Sequence, residues 1–142
     1  MKIEIWSDIM CPFCYIGKRH FETALTKFAD KENIEVEWKS FQLDPSMPEI
    51  SNESQEEYLV KRKGMSTEQV AFTDERYLNQ MKQDVQEAQN IGVRGVPFFV
   101  FDRKYGVSGA QAPEAFLETL EKSFAKWRTE NPEIKLEMTQ EL

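Results

Sequence analysis

Cysteine and histidine are scarce in this chain of 142 residues, and each shortage excludes something. Two cysteines, Cys11 and Cys14, cannot build a disulfide framework for a chain this long. Joining them would staple a very short span and remove little entropy from the unfolded chain. A structural zinc site takes about four ligands, and two cysteines with a lone His20 do not supply them, so no metal is expected. Long apolar runs are also missing, and a membrane-spanning helix needs about 18 such residues. At the amino end, Glu4, Trp6 and Asp8 interrupt the chain too early for the apolar region of a signal peptide, so a cytoplasmic setting is expected. Basic residues are in the minority, 18 against 25 acidic, for a net charge of −7, a poor match to a phosphate backbone. Neither a membrane nor a nucleic acid is expected as a partner.

What is present fits one globular domain. Apolar residues make up 40% and charged residues 30%, a soluble balance with length enough for a single core. Residues 1–128 are expected to form that domain and 129–142 a charged, loosely attached tail. Ile3 and Ile5 alternate with polar neighbours, which predicts a strand over Lys2 to Ser7. Tyr15, Ile16, Phe21, Leu25 and Phe28 recur at helical spacing, which predicts a helix from Pro12 to Ala29 with proline in its first turn. From Asn33 to Leu43 the pattern alternates again, with Ile34, Val36 and Trp38 on one face and Glu35, Glu37 and Lys39 on the other. This strand–helix–strand spacing is a βαβ unit.

Further on, 53–63 reads as helix up to the stop signal of Gly64. A longer helix capped by Thr73 or Asp74 runs to about Asn90. Phe98-Phe99-Val100-Phe101 is a fully apolar run suited to a buried central strand. A hairpin turn over 102–106 leads to Val107 and Ser108, and a last helix spans about Ala112 to Arg128. The expected fold class is α/β in the order β-α-β-α-β-β-α, a thioredoxin-like arrangement with the cysteine pair opening the first helix.

That position gives Cys11-Pro12-Phe13-Cys14 its chemistry. A thiol attacks a disulfide as thiolate, and the unpaired N–H groups and dipole at a helix amino terminus favour the charged form. Cys11 is therefore the expected nucleophile. Cys14, one turn further in, is the expected resolving thiol, and Pro12 and Phe13 shape the surroundings. Val96-Pro97 is a second signal, because a proline at the start of a core strand removes a ladder donor. A trans proline opening the strand accounts for it locally; a cis bond would expose the Val96 backbone to an incoming peptide.

The segment from Trp6 to Gly17, with Cys11-Pro12-Phe13-Cys14-Tyr15-Ile16-Gly17 at its end, resembles the active-site segment of DsbA-family oxidoreductases, especially the FrnE-like branch. Phe41-Gln42-Leu43-Asp44-Pro45, Gly92-Val93-Arg94-Gly95-Val96-Pro97-Phe98-Phe99 and Ser108-Gly109-Ala110-Gln111 resemble the same branch in the same order. The resemblance implies thiol–disulfide exchange at Cys11 and Cys14, with Val96 and a cis Pro97 facing them; Pro12, Phe13 and Val96 are the expected substrate contacts. No cofactor is implied. The partners are protein or peptide thiols and disulfides, with glutathione as a further candidate. Members of that family carry a helical domain inserted between the second and third strands. Here 52–90 is too short for it, so the insertion reads as reduced to one or two helices, with a break near Val70-Ala71. Apolar surface left bare by that loss would favour self-association.

Two other readings stay open. One is a glutathione-dependent transferase or isomerase on the same fold. The other is a non-catalytic binding or holdase module. Trp6 reads equally as a substrate contact or as core. Lys39, Asp8 and Arg94 read as solvated charges before proton-transfer or docking residues, and His20 as a helix-surface residue.

Overall fold

The computed structural model describes residues 1–8, 11–41 and 75–137. The helix expected over 53–63 lies outside the described residues. Among them, strand β1 (Lys2–Ser7) leads to helix α1 (Pro12–Lys27), a short 3-10 turn (Lys31–Asn33) and strand β2 (Glu35–Ser40). Helix α2 (Glu75–Asn90), strands β3 (Phe98–Phe101) and β4 (Tyr105–Ser108), and helix α3 (Pro113–Glu130) follow. The sheet order is β2-β1-β3-β4. β1 runs parallel to β2, and β3 is antiparallel to both β1 and β4. This is a thioredoxin-like α/β fold, with β1 and β3 as the two inner strands.

Alternation along the inner strands sends side chains to the two faces of the sheet, each covered by helices. Ile3, Ile5, Phe99 and Phe101 point to one face and form the main core with Phe21 and Ala24 of α1 and Phe116, Leu120 and Phe124 of α3. The rings of Phe99 and Phe116 meet edge-on at 4.5 Å between centroids, and Phe21 lies 5.5 Å from Phe99. Such pairs add about 0.5–1.5 kcal/mol beyond burial alone. The three-residue offset of Phe21 and Ala24, and the four-residue steps from Phe116 to Leu120 and Phe124, place these side chains on one stripe of each helix.

The second face carries Trp6 and Val100, packed with Ala88 and Val93. Polar contacts do much of the docking of α2 here. The Trp6 indole N–H donates to the Asp84 carbonyl at 2.9 Å, and the Ser40 amide donates to the Asp84 carboxylate at 2.9 Å. Lys39 Nζ reaches Glu87 at 2.6 Å and Glu4 at 3.4 Å, while Arg103 pairs with both Glu4 and Glu87. Lys39 is only 8% exposed and Glu4 only 4%. The alternation of β2 thus turns Lys39 away from the main core, but into a covered ion cluster and not into water. Burial works against the Lys39 charge; hydrogen bonds to Glu87 and Glu37 outweigh it and raise its pKa. Hydrogen bonding to Lys39 holds the Glu87 carboxyl below its ordinary 4.5, with Arg103 adding to the effect.

The turn between β3 and β4 feeds this cluster. Asp102 and Arg103 both have positive φ, 50° and 56°. Asp tolerates that region, but for Arg it is unfavourable, and the ion pairs of Arg103 hold the turn closed. The carboxyl-terminal segment also differs from expectation. α3 continues to Glu130, and beyond it the Asn33 side chain donates to the Glu137 carbonyl at 3.0 Å and accepts its amide at 2.7 Å. Leu136 packs against the main core. Charged composition suggested a loose tail, yet one asparagine and one leucine tie 131–137 down.

Gly17 sets the distance between α1 and the start of β3. A Cβ placed there would lie 2.9 Å from Pro97 Cγ and 3.4 Å from the Phe99 ring. Inside a helix, Gly→Ala ordinarily gains about 1 kcal/mol, whereas overpacking costs about 1–3 kcal/mol. Proline's ring cannot swing aside, so the clash wins. Gly17→Ala is predicted to lower stability in urea titrations; an unchanged or raised midpoint would show that α1 is not seated on Pro97.

Glu87 gives a pH prediction. Its lowered pKa stabilises the fold above 4.5, and that stability is lost as pH falls through the lower folded value. Glu87→Gln is therefore predicted to be less stable than wild type at neutral pH, with the gap closing in acid. A gap independent of pH in paired urea titrations would remove the ion-pair explanation.

Candidate active site

The site is built where three backbone segments converge at the carboxyl end of β1. The strand ends at Ser7, whose carbonyl accepts the Phe41 amide at 3.0 Å, and Asp8 follows at once. The Asp8 carbonyl accepts the Cys11 amide at 3.0 Å, which turns the chain into α1. Cys11 is the residue before the helix, with extended dihedrals (φ −94°, ψ 115°), and Pro12 fills the first helical position. Proline suits that position because its fixed φ is helical and its missing N–H would have had no partner there. No acidic residue lies in the first turn, so nothing negative on α1 competes with charge on a thiolate there.

The two thiols differ in environment. Both are free. Cys11 is half-buried, whereas Cys14 is 5% exposed, facing inward one helical turn later. The Asp8 amide donates to Cys14 Sγ at 3.5 Å. Burial pushes the Cys14 thiol up from its ordinary pKa; hydrogen bonds from Ser7 and Asp8 pull the other way, and the neighbouring Cys11 thiol adds to the rise. Burial thus favours the protonated form of Cys14.

Facing the pair is the bend before β3. Cys11 Sγ lies 3.8 Å from the Val96 carbonyl. The Val96–Pro97 peptide bond is cis, and the Pro97 carbonyl accepts the Gly109 amide at 2.9 Å. Pro97 is fully buried and Val96 half-buried. Pro12 is exposed beside Cys11. Phe13, Tyr15 and Ile16 are 62%, 67% and 41% exposed, an unusual concentration of apolar surface in one helical turn. Cys11 and Val96 therefore meet, with Pro97 next to Val96 and Cys14 one helical turn behind Cys11, and Pro12 and Phe13 lie exposed in the same turn as the thiols.

Other residues of interest fall elsewhere. Trp6 is fully buried beneath α2, so it is core and not a substrate contact. Lys39 belongs to the ion cluster with Glu4, Glu37 and Glu87. Asp8 serves the site through its backbone, as donor to Cys14 and acceptor from Cys11. Arg94 is exposed. His20 Nδ1 lies 2.8 Å from the Gln111 carbonyl and ties α1 to the segment before α3. The residue missed by sequence reasoning is Ser7. Its signal was a hydroxyl at the last position of a strand leading directly into a dithiol motif. Among the described residues, no group of three or more His, Cys, Asp or Glu is arranged to hold a metal, and no helix is long and apolar enough to cross a membrane.

The arrangement can carry a two-step exchange. An accessible sulfur at a helix start can attack a disulfide, and a shielded sulfur beside it can displace the bound partner.

Comparison with known proteins agrees with this fold. Residues 44 in number match the uncharacterized Bacillus subtilis (strain 168) protein YwbO at 46% identity, covering 31% of this chain and 20% of that protein. The chain thus spans about a fifth of the length of that curated relative. A crystal structure described as a probable DsbA oxidoreductase from Streptomyces coelicolor superposes with a TM-score of 0.69 at 26% identity, covering 89% of this chain and 91% of that one. A 2-hydroxychromene-2-carboxylate isomerase shares the fold at a TM-score of 0.54 and 12% identity, over 95% of this chain and 100% of that one. A family model for the DSBA-like thioredoxin domain matches in two overlapping pieces, residues 2–71 and 64–121. On that match and the superposition, the chain belongs to the DSBA-like thioredoxin domain family.

Proposed function

We propose that this protein is a dithiol–disulfide oxidoreductase of the FrnE-like branch, acting on protein, peptide or small-molecule thiols and disulfides. The observation that carries the reading is the unequal pair itself: Cys11 half-exposed at the helix start and opposite Val96, Cys14 buried behind it. In the reducing direction, the Cys11 thiolate attacks one sulfur of a substrate disulfide. A Cys11–substrate bond forms, the substrate S–S bond breaks, and one substrate thiolate leaves. Cys14 as thiolate then attacks Cys11 Sγ, forming the Cys11–Cys14 disulfide and releasing the second substrate thiolate. The substrate gains two electrons and the pair loses two; run backwards, the same steps oxidise a substrate dithiol.

Val96 and Pro97 present the backbone opposite Cys11, and Pro12 with Phe13 offers apolar contact beside it. The two-piece family match, overlapping at 64–71, supports a family domain whose middle is shortened. A shorter insertion leaves the exposed Phe13, Tyr15 and Ile16 available to substrates or to a second copy of the chain. The likeness to the isomerase concerns the fold alone, and a cysteine stands at the site's reactive position.

Insulin reduction with dithiothreitol tests the reading. Wild type is predicted to accelerate it, Cys11→Ser to fall to the uncatalysed rate, and Cys14→Ser to accumulate a mixed disulfide visible on a non-reducing gel. Full activity in Cys11→Ser would overturn the dithiol reading. Glutathione conjugation surviving in Cys14→Ser would point to the transferase class instead.

A further inference from the structure

Among the described residues, β2 has β1 on one side and no strand on the other. The Glu35 amide donates to the Met1 carbonyl at 2.9 Å and the Phe41 amide to the Ser7 carbonyl at 3.0 Å. In this parallel register the odd-numbered residues from Glu35 to Phe41 therefore bond to β1, and the even-numbered ones turn their N–H and C=O groups outward. Two outward amides are already closed off. The Ser40 amide donates to the Asp84 carboxylate at 2.9 Å, and the Ile34 amide donates to the Lys31 carbonyl at 3.1 Å. Between them, no described residue pairs with the outward N–H and C=O groups of Val36 and Trp38, and the Trp38 ring is 46% exposed. An open edge carrying a large apolar side chain is a template for another strand.

We infer that this edge binds a second copy of the chain. The two β2 strands pair antiparallel about a two-fold axis at Glu37, with Val36 of each opposite Trp38 of the other. The backbone inventory selects this occupant and this register. The open stretch offers two donors and two acceptors, and its own two-fold image supplies the complement of each, so every group is used. A shift of two residues either way brings the closed Ile34 or Ser40 amide into the ladder. The side chains agree. Val36 packs against the main core, and alternation puts Trp38 on the same face, where Lys18 Nζ sits 5.7 Å over its ring. This stripe of α1 thus overhangs β2, and Glu22 and Leu25 continue it toward the level of Val36. There Glu22, Leu25, Thr26 and Lys31 line an open groove of about 300 Å³. In the paired copies the Trp38 indole of one lies beside Val36 of the other, at that groove, with an apolar body for Leu25 and an N–H for Glu22.

One feature of the pairing opposes it. At the axis the two Glu37 carboxylates face each other, and like charges directly opposite are destabilising. Each is held by cations of its own chain, Lys2 and, at 3.3 Å, Lys39. Removing the charge should therefore tighten the pair. Association and exchange stay separable. Because β2 runs parallel to β1, the antiparallel pairing sends the two dithiols to opposite ends of the joined sheet, and both remain open to substrate.

Sedimentation equilibrium of the whole chain in dithiothreitol, from about 10 µM to 1 mM, tests this. Wild type should show a reversible monomer–dimer equilibrium. Trp38→Ala should weaken it about tenfold or more, as loss of a central aromatic anchor does. Val36→Pro removes an outward N–H that its own sheet does not use, and should be monomeric. Glu37→Gln should dimerise more tightly than wild type, and Phe13→Ser, which alters the apolar turn beside the thiols, should dimerise as wild type does. Trp38→Ala and Val36→Pro should keep the far-ultraviolet circular dichroism of wild type and its insulin reduction per chain. A wild type that stays monomeric throughout overturns the inference, and so does a dimer that Trp38→Ala leaves unchanged or that Phe13→Ser abolishes. Failure of insulin reduction in a wild type that dimerises as described would count against the dithiol reading alone.

Discussion

Everything at the site depends on how closely the first turns of α1 approach the Val96–Pro97 bend. Gly17 has no side chain, and the space a Cβ would occupy is already taken by Pro97 and Phe99. The missing side chain lets a helix start and a strand start share one end of the sheet, with Cys11 at 3.8 Å from the Val96 carbonyl. His20 against Gln111 and the Gly109 amide against the Pro97 carbonyl hold the same approach from two further positions. The aromatic layer of Phe21, Phe99 and Phe116 lies directly under it, so core packing and site geometry are parts of one contact surface.

The opposite face of the sheet is held together by different physics. There the apolar cluster is small, Trp6 with Ala88, Val93 and Val100, and charge fills the rest of the interface. Glu4 is nearly enclosed, with Lys39 and Arg103 as its cations. Removing one partner of a buried ion pair costs about 3–5 kcal/mol because the other charge is left without compensation. The cluster therefore fixes where α2 sits more sharply than its own contribution to stability would suggest. It also absorbs the unfavourable backbone at Arg103, whose side chain bridges the hairpin turn to both β1 and α2.

Much of this was legible in the sequence where pattern and burial coincide. β1 runs from Lys2 to Ser7 as its alternation indicates, and Phe98–Phe101 takes an inner position as an all-apolar strand should. The dithiol was legible because its spacing and its place before a helix are themselves chemical statements. Lys39 was not, since an alternating polar face reads as solvated unless a second layer is known to cover it, and that layer comes from α2, far along the chain. Trp6 was ambiguous for the same reason. Ser7 was legible only as the last residue of a strand leading into the dithiol motif. The ends of elements shifted by a few residues. α1 stops at Lys27 and β2 covers only Glu35–Ser40, because hydrogen-bond partners, not side-chain periodicity, set where each one ends.

The central claim is a division of labour between two sulfurs of one short motif: one open and reactive, one shielded and held protonated until needed. Limited alkylation of the reduced, folded protein with iodoacetamide, mapped by peptide mass spectrometry, tests this directly. The account predicts that Cys11 is modified first, with Cys14 labelled only after denaturation or at strongly alkaline pH. Equal labelling of the two, or earlier labelling of Cys14, would contradict it.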